Sequence, residues 1–190
     1  MLELKIKTDP AWVDIVMNDF DRFLIDHAHA EKKAAGMATS MLSHYSDKQD
    51  IVRSMVDLSI EEMIHFKQVL KLMHERELTL TPDEKDPYVN ALRQCFRKGR
   101  DVYLLDRLLV AAVVEARGCE RFGLVAQALP EGKLKSFYDA ITKSEAKHHE
   151  LFTDLAVQYF DRDTVKERLE EILIVEADII RQLPHRACLH

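Results

Sequence analysis

Four long stretches of the chain carry apolar residues at alternating spacings of three and four, the period of one face of an α-helix. The stretches run from about residue 19 to 45, 48 to 77, 101 to 129 and 133 to 160, and turn-forming residues separate them. Only 5 glycines and 5 prolines interrupt the 190 residues. So few breakers over that length favour long helices over a multi-stranded sheet. The pattern therefore predicts an all-α fold.

The connections between these predicted helices differ in length. Short turns join the first helix to the second and the third to the fourth, whereas roughly twenty residues separate the second from the third. This crossover begins with the proline-containing loop 78–87 and continues as a short amphipathic helix over about 88–98. Two helical hairpins linked by one long crossover are typical of a ferritin-like four-helix bundle. A further helix, capped at 161–163 and ending near Leu183, follows the bundle, and we expect residues 1–190 to form one domain.

The apolar face of each long helix is interrupted near its centre. There each face carries one glutamate, and two of the faces carry a histidine three residues after it. Burying an unpaired carboxylate is unfavourable, and four of them on facing helices would repel one another unless a cation lay among them. The predicted helix midpoints fall close to these glutamates, so all four are expected at one height of the bundle. The residues are Glu31, Glu62, His65, Glu115, Glu145 and His148.

The same spacing occurs twice in the chain. Glu31 precedes the motif Glu62-x-x-His65 by 31 positions, and Glu115 precedes Glu145-x-x-His148 by 30. Residues i and i+3 lie on one helix face, so each Glu and His can reach a common centre. This set of residues is the ligand set of carboxylate-bridged di-iron and di-manganese proteins. We expect the two motif glutamates to bridge the metals, the two upstream glutamates to be terminal ligands, and each histidine to bind one ion. An oxygen-rich shell with two imidazoles favours iron or manganese.

Other ionisable residues near this pattern have no counterpart in the other half of the chain. Glu61 is predicted to be solvated, and His149 is predicted to lie beside the ligands or at the surface. Glu120 falls outside the apolar face and is predicted to form a salt bridge. The remaining histidines are expected to have ordinary roles: His27, His29, His44, His74, His185 and His190.

Charge and cysteine spacing exclude several other classes. The formal net charge of −6 gives no general sign of nucleic-acid or membrane binding. The longest apolar run, 108–114, is too short to span a bilayer. Three cysteines without CxxC spacing argue against a thiolate metal site and against a secreted disulfide framework. We therefore expect a cytoplasmic protein with reduced thiols.

The residues around the predicted ligands resemble a known family. They are the segments 30–34 (AEKKA), 61–66 (EEMIHF), 114–122 (VEARGCERF) and 144–149 (SEAKHH), and the likeness runs over nearly the whole chain. They are similar to the bacterial tRNA hydroxylase family called MiaE, with EARGCERF as the most specific piece. The resemblance implies an O2-dependent monooxygenase with two Fe ions, which hydroxylates the isopentenyl side chain of 2-methylthio-N6-isopentenyladenosine beside the anticodon of tRNA. It maps the six metal ligands onto the same residues as the helix pattern.

This implied reaction needs partners. A monooxygenase requires two electrons per turnover from a reductase or a ferredoxin, and tRNA phosphates require basic residues. We expect the protein to be a monomer. Arg117 and Arg121 are expected to form ion pairs with Glu120 and other carboxylates. The basic candidates for tRNA contact are Arg93, Arg97, Lys98 and Arg100 on the crossover and Lys133 and Lys135 at the start of the fourth helix.

Two other functions are compatible with parts of the pattern. A ferritin- or rubrerythrin-like protein would handle iron or peroxide with the same ligands, but the rubredoxin-type CxxC pairs are missing from this sequence. A helical bundle without metal would need cations facing the four glutamates, and the apolar faces carry none. Metal content separates the second alternative from a di-iron protein, and iron-uptake capacity separates the first.

Overall fold

The computed structural model describes residues 2–190, which fold into seven α-helices and one short 3-10 helix and contain no β-strand. The predicted all-α class is confirmed. No helix in this described part of the chain is long and apolar enough to cross a membrane. The helices are α1 (Pro10–Asn18), α2 (Phe20–His44), α3 (Gln49–Glu75), α4 (Pro87–Leu92), α5 (Arg100–Ala128), α6 (Lys133–Tyr159) and α7 (Arg162–Gln182), and the 3-10 helix at Arg93–Cys95 follows α4.

The described residues form two compact units, each built on one pair of long helices. The α2–α3 unit comprises residues 15–84 and 187–189. The α5–α6 unit comprises residues 2–14, 85–186 and 190, and it also contains α4 and α7. In both units a short turn joins the two long helices, as the apolar pattern predicts.

The α2–α3 unit is an antiparallel helical pair whose inner faces carry apolar residues at helical spacing. Leu24 and Met41 of α2 and Ile51 and Met55 of α3 are fully buried. Apolar burial of this kind is the main stabilising contribution, at about 25 cal/mol for each Å² removed from water. The pairing places the middle of α2 beside the middle of α3, which is where the predicted ligands of this unit lie.

The loop after α3 is tied back to α2 by charged contacts. The Asp83 carboxylate accepts from Lys33 Nζ at 2.7 Å and lies 3.3 Å from Lys32 Nζ. His29 Nε2 lies 2.9 Å from the carbonyl oxygen of Thr81. Burial tends to raise the pKa of Asp83, but the hydrogen bonds and charges of the two lysines outweigh it and hold that pKa below its usual value. The first part of the crossover is therefore anchored beside the predicted ligand on α2.

The central helix of the α5–α6 unit is α5, most of whose residues are buried. α5 buries apolar residues on nearly all of its faces because α6 packs on one side and α7 on another. At the start of α7 the Asp161 side chain accepts hydrogen bonds from the backbone N–H groups of Asp163 and Thr164, which is the predicted cap. Gly99 precedes α5 at φ +120°, a backbone conformation that a side chain would strain.

The crossover helix is shorter than predicted. The expectation of a helix over about 88–98 is wrong at its carboxyl end, since α4 stops at Leu92 and the 3-10 helix ends at Cys95. Phe96 is extended, and the backbone N–H of Arg97 donates to Asp106 at 2.8 Å. The chain leaves the helix there because the buried Asp106 carboxylate competes for the backbone and side chain of Arg97.

Candidate metal centre

Three predicted ligands meet within the α2–α3 unit, and we call them the α2–α3 triad: Glu31, Glu62 and His65. Each offers a ligand atom within 4.8 Å of those of the other two. His65 Nδ1 lies 3.6 Å from Glu31 Oε2 and 3.7 Å from Glu62 Oε2. The exposed fraction of each residue is only 1–6%. Helix spacing explains this arrangement, because Glu62 and His65 occupy the same face of α3 and that face is turned towards α2.

The other three predicted ligands meet within the α5–α6 unit and form the α5–α6 triad: Glu115, Glu145 and His148. Their ligand atoms also lie within 4.8 Å of one another. His148 Nδ1 lies 2.7 Å from Glu145 Oε2 and 3.9 Å from Glu115 Oε2. Glu145 and His148 are buried, and the Glu115 side chain is 11% exposed. Ile141, four residues before Glu145, and Phe152, four residues after His148, lie on the same face of α6 and are also buried.

The donor set of each triad suits a transition-metal ion. Two carboxylates and one imidazole are the ligands that iron and manganese accept, and they are poor ligands for copper or for structural zinc. Two carboxylates held this close in a buried place repel one another unless a cation or a proton lies between them. The residues present therefore fit a bound divalent ion at each triad.

The residues predicted to be bystanders behave in different ways. The Glu61 side chain is 44% exposed and lies 4.0 Å from His65 Nε2, in keeping with its predicted solvation. His149 is half-buried beside the α5–α6 triad, and burial lowers its pKa. His27, which was predicted not to be a ligand, is fully buried, and its Nε2 lies 2.5 Å from Glu31 Oε1, a contact that the sequence analysis did not predict. The i, i+4 spacing of His27 and Glu31 on one helix was the signal that could have found this contact.

The ion pairing predicted for Glu120 is confirmed. Its carboxylate accepts from Arg117 Nη1 and from the Thr8 hydroxyl. Arg117 is fully buried and also donates to Glu176 of α7, with its Nε 2.9 Å from Glu176 Oε1. The Tyr88 hydroxyl donates to the same Glu176 oxygen at 3.1 Å. Sequence reasoning missed Glu176, although this acidic residue lies between the buried Leu173 and Ala177 on α7.

Burial and charge change the pKa values in this buried network. Burial opposes the charge of Arg117, but Glu176 and Glu120 outweigh it and raise the pKa of that guanidinium. Burial and the neighbouring Arg117 lower the pKa of Arg121 to about 10. Both arginines therefore remain charged at neutral pH, and the network holds two cations and two carboxylates in balance.

The basic cluster predicted to contact tRNA is partly occupied by other contacts. Arg97 Nη2 lies 2.8 Å from Asp106 Oδ1, although the Arg97 side chain is 42% exposed. Lys135 Nζ lies 2.8 Å from Glu131 at the surface. Arg93, Lys98, Arg100 and Lys133 are exposed. Contact with tRNA by these residues stays a prediction.

The thiol of Cys119 lies on α5 one turn after Glu115. Its Sγ donates to the backbone carbonyl of Thr142 at 3.4 Å. Burial, followed by the charges of Glu145 and Glu115, raises the pKa of this thiol to about 11. The thiol is therefore protonated at neutral pH in the metal-free protein. All three cysteines are free, as predicted.

The whole chain is similar in fold to a solved structure, protein 43 with aldehyde deformylating oxygenase activity from Synechococcus. The match has a TM-score of 0.95 and 34% sequence identity, and it covers 100% of this chain and 96% of the other. That protein has a ferritin-like fold. The predicted fold class is therefore confirmed: ferritin-like, with a long crossover between the second and third long helices and an additional C-terminal helix.

Comparison of sequences identifies the family. A tRNA 2-(methylsulfanyl)-N(6)-isopentenyladenosine(37) hydroxylase of Pseudomonas putida is 36% identical over 174 residues, which are 92% of this chain and 84% of the relative. The hydroxylase of that name from Salmonella typhimurium is 33% identical over 132 residues, 70% of this chain and 48% of the relative. The family model described as tRNA-(MS[2]IO[6]A)-hydroxylase (MiaE) matches residues 2–190. The chain belongs to the MiaE family.

Proposed function

We propose that this protein is a di-iron monooxygenase that hydroxylates the isopentenyl side chain of 2-methylthio-N6-isopentenyladenosine in tRNA. One observation carries the proposal: a chain of the MiaE family holds two buried triads with the same composition, Glu plus Glu-x-x-His, at the middle of its long helices. The names of both curated relatives describe this substrate and this reaction. A ferritin- or rubrerythrin-like role in iron storage or peroxide removal has no such support.

The proposed centre combines the two triads around two iron ions. The doubled spacing in the sequence and the central position of each triad on its helices support one shared centre. Glu62 and Glu145 would bridge the ions, and Glu31 and Glu115 would be terminal ligands. The four carboxylates would balance the charge of two ferrous ions, whereas without the ions they would be four negative charges close together.

The chain's own residues bind the ions, exclude water and maintain this charge balance. Two bound ferrous ions would supply the reducing power that activates O2, which the amino acids themselves cannot do. In the overall reaction one oxygen atom enters a C–H bond of the side chain, and the other leaves as water with two protons. The two electrons that complete the balance come from an external reductase or ferredoxin. The apolar residues that bury the triads keep bulk water away from the reacting atoms.

The tRNA substrate has consequences for recognition and for location. The modified adenosine lies in a single-stranded loop, so it can be turned out towards a protein site without breaking a duplex. Contacts to phosphate require cations, and Arg93, Lys98 and Arg100 on the crossover are our candidates. We further propose that the protein works in the cytoplasm, where tRNA is found, and that it does so as a monomer.

Metal analysis tests the site first. We expect about two irons per chain after anaerobic reconstitution, and an absorption band in the near ultraviolet after exposure to air. Glu62→Ala should lose both iron and band. Glu61→Ala is the matched control on the same turn of α3 and should keep both, because its side chain is half-exposed. Wild-type protein that stays folded and metal-free would overturn the proposal.

An activity assay tests the substrate. Reconstituted protein, O2 and a chemical reductant are incubated with tRNA that carries the unhydroxylated nucleoside, and nucleosides are analysed by mass spectrometry. We expect a gain of one oxygen atom in the modified adenosine. An aldehyde is tested in parallel, because the similar Synechococcus protein is described by its aldehyde deformylating oxygenase activity. Turnover of the aldehyde without hydroxylation of tRNA would leave the di-iron site standing but reject the substrate.

A further inference from the structure

A buried histidine contacts the carboxylate of one proposed terminal ligand. His27 lies four residues before Glu31 on α2 and is 0% exposed. Its Nε2 is 2.5 Å from Glu31 Oε1, a distance at which the ring N–H donates to a carboxylate in a charge-assisted hydrogen bond. The centroid of the His27 ring lies 6.2 Å from that of Phe23, a fully buried residue one turn earlier on α2. Packing on this face therefore restricts the orientation of the imidazole.

The two oxygens of Glu31 have different surroundings. Oε1 faces His27, and Oε2 lies 3.6 Å from His65 Nδ1, another proposed ligand. An oxygen that accepts a short hydrogen bond is a weaker donor to a metal than its partner. The contact would therefore leave Oε2 of Glu31 as the oxygen available to a bound iron ion.

The other triad has no residue of this type at the equivalent position. The residue four positions before Glu115 is Ala111, whose side chain can neither donate nor accept a hydrogen bond. The two terminal glutamates thus differ in what lies one turn before them, although the rest of their motifs match. The two halves of the chain thus repeat the ligand spacing but not the residue four positions before the terminal glutamate.

We propose that His27 is a positioning residue that donates its Nε2–H to Glu31 Oε1 and so makes Glu31 a monodentate ligand through Oε2. The inference rests on the proposed di-iron function. The contact acts on one terminal ligand, so we expect its loss to affect the iron position at the α2–α3 triad. For iron binding, an N–H donor at position 27 should then be more important than the imidazole ring itself.

Three variants separate the effect of the N–H donor at position 27 from the effect of the side-chain volume. His27→Gln keeps an N–H group at a reach similar to that of Nε2, whereas His27→Leu removes it and keeps an apolar side chain. His29→Gln is the matched control, since His29 is a buried histidine on the same helix whose ring nitrogens contact the carbonyl oxygen of Thr81 and Lys32 Nζ. Circular dichroism and thermal melting of each metal-free variant establish that it is folded.

The primary readout is anaerobic ferrous titration of the metal-free full-length chain, followed by near-infrared circular dichroism of the bound iron. We expect His27→Leu to weaken one of the two iron sites by about ten- to a hundredfold, the usual effect of losing a group that hydrogen-bonds to a ligand. The ligand-field bands of that one site should shift, and those of the other should not. His27→Gln should restore the affinity to within about threefold, and His29→Gln should resemble wild type.

The outcomes distinguish this inference from the proposed function. Wild-type protein that binds no iron overturns both. Wild-type protein that binds two irons, with folded His27→Leu that shows unchanged affinities and spectra, overturns the positioning role alone. Equal weakening of both sites would also overturn it, because the contact lies on one triad. If His27→Leu does not fold, His27→Gln decides, since a wild-type spectrum supports donation and a changed spectrum contradicts it.

Discussion

The α2–α3 triad and the α5–α6 triad have the same residue types but different surroundings. In the α2–α3 triad His65 Nδ1 lies 3.6 Å from Glu31 Oε2 and 3.7 Å from Glu62 Oε2. A histidine outside the motif, His27, lies 2.5 Å from the other oxygen of Glu31. In the α5–α6 triad His148 itself lies 2.7 Å from Glu145. Repeated ligand spacing therefore does not produce equivalent sites, because the neighbouring side chains decide how each carboxylate is held.

The two units also differ in how charge is buried beyond the triads. In the α5–α6 unit, two residues after Glu115, the fully buried Arg117 joins Glu120 of α5 to Glu176 of α7. In the α2–α3 unit Lys32 and Lys33, directly after Glu31, bind Asp83 of the crossover loop near the surface. The terminal glutamate is thus followed along the chain by a buried ionic network in one unit and by a loop anchor in the other.

Replacing the terminal glutamates is expected to have the largest effect and tests the comparison directly. Glu31→Ala and Glu115→Ala should each lower the affinity of one iron site by more than about a hundredfold, because a lost ligand exceeds the effect of a lost supporting contact. Hydroxylation should be abolished in both variants, since the proposed chemistry needs two ions. Iron titration and nucleoside mass spectrometry check this. An unaffected Glu115→Ala would show that the two triads are not functionally alike.

Breaking the buried ionic network comes next in size. Arg117→Met should lower the free energy of unfolding by about 3–5 kcal/mol, because it leaves the Glu176 carboxylate buried without its arginine. Urea denaturation of the metal-free protein measures this change. Arg93→Met, at an exposed position, is the control and should stay within about 0.5 kcal/mol of wild type. The double variant Arg117→Met with Glu176→Leu should recover part of the loss, and no recovery would contradict an electrostatic origin.

Asp106 gives a pH-dependent test within the α5–α6 unit. Burial tends to raise its pKa, but hydrogen bonds from Arg97 and Arg168 outweigh it, so that the folded-state pKa is depressed. Its stabilising effect is then fully present above the unfolded-state pKa, about 3.9, and is lost as the pH falls through the folded-state value. Asp106→Asn should lower the free energy of unfolding by about 2 kcal/mol at pH 7.

The measurement is urea denaturation of wild type and Asp106→Asn from pH 7 downwards. The gap between the two proteins should remain constant to about pH 4 and narrow only below it. A gap that closed between pH 7 and pH 5 would indicate a pKa that is raised rather than lowered. Asp83→Asn offers the corresponding test at the loop anchor of the α2–α3 unit, with a smaller gap because its side chain is partly exposed.

The smallest effect is expected at Cys119, which lies one turn from Glu115. Cys119→Ala should lower the free energy of unfolding by about 1 kcal/mol, through loss of the hydrogen bond to Thr142, and should leave iron content unchanged. Because its pKa is about 11 without bound metal, the thiol of the metal-free protein should react with iodoacetamide at pH 8 roughly 200-fold more slowly than an ordinary cysteine. Mass spectrometry follows the reaction, and rapid labelling of the folded protein would contradict a protonated thiol.

The sequence by itself determined the helical class, the unequal connections and the residues of both triads. It could do so because apolar periodicity and the unfavourable burial of a carboxylate are local properties, readable within one helix. The bounds of the long helices lie within about two residues of those predicted, for example α5 at Arg100–Ala128. A single shared di-iron centre stays a proposal, supported by the doubled spacing and by the family.

Only the tertiary structure decided which charged groups pair with one another. Glu176 is 59 positions from Arg117, and Arg168 is 62 positions from Asp106, so nothing in the local pattern selects these partners. The early end of the crossover helix follows from the contact of Arg97 with Asp106. The i, i+4 spacing places His27 near Glu31, but only the structure shows that His27 is fully buried and that its Nε2 lies 2.5 Å from Glu31 Oε1. Partner choice among many charged side chains depends on packing between distant segments, whereas helix formation depends on neighbours along the chain.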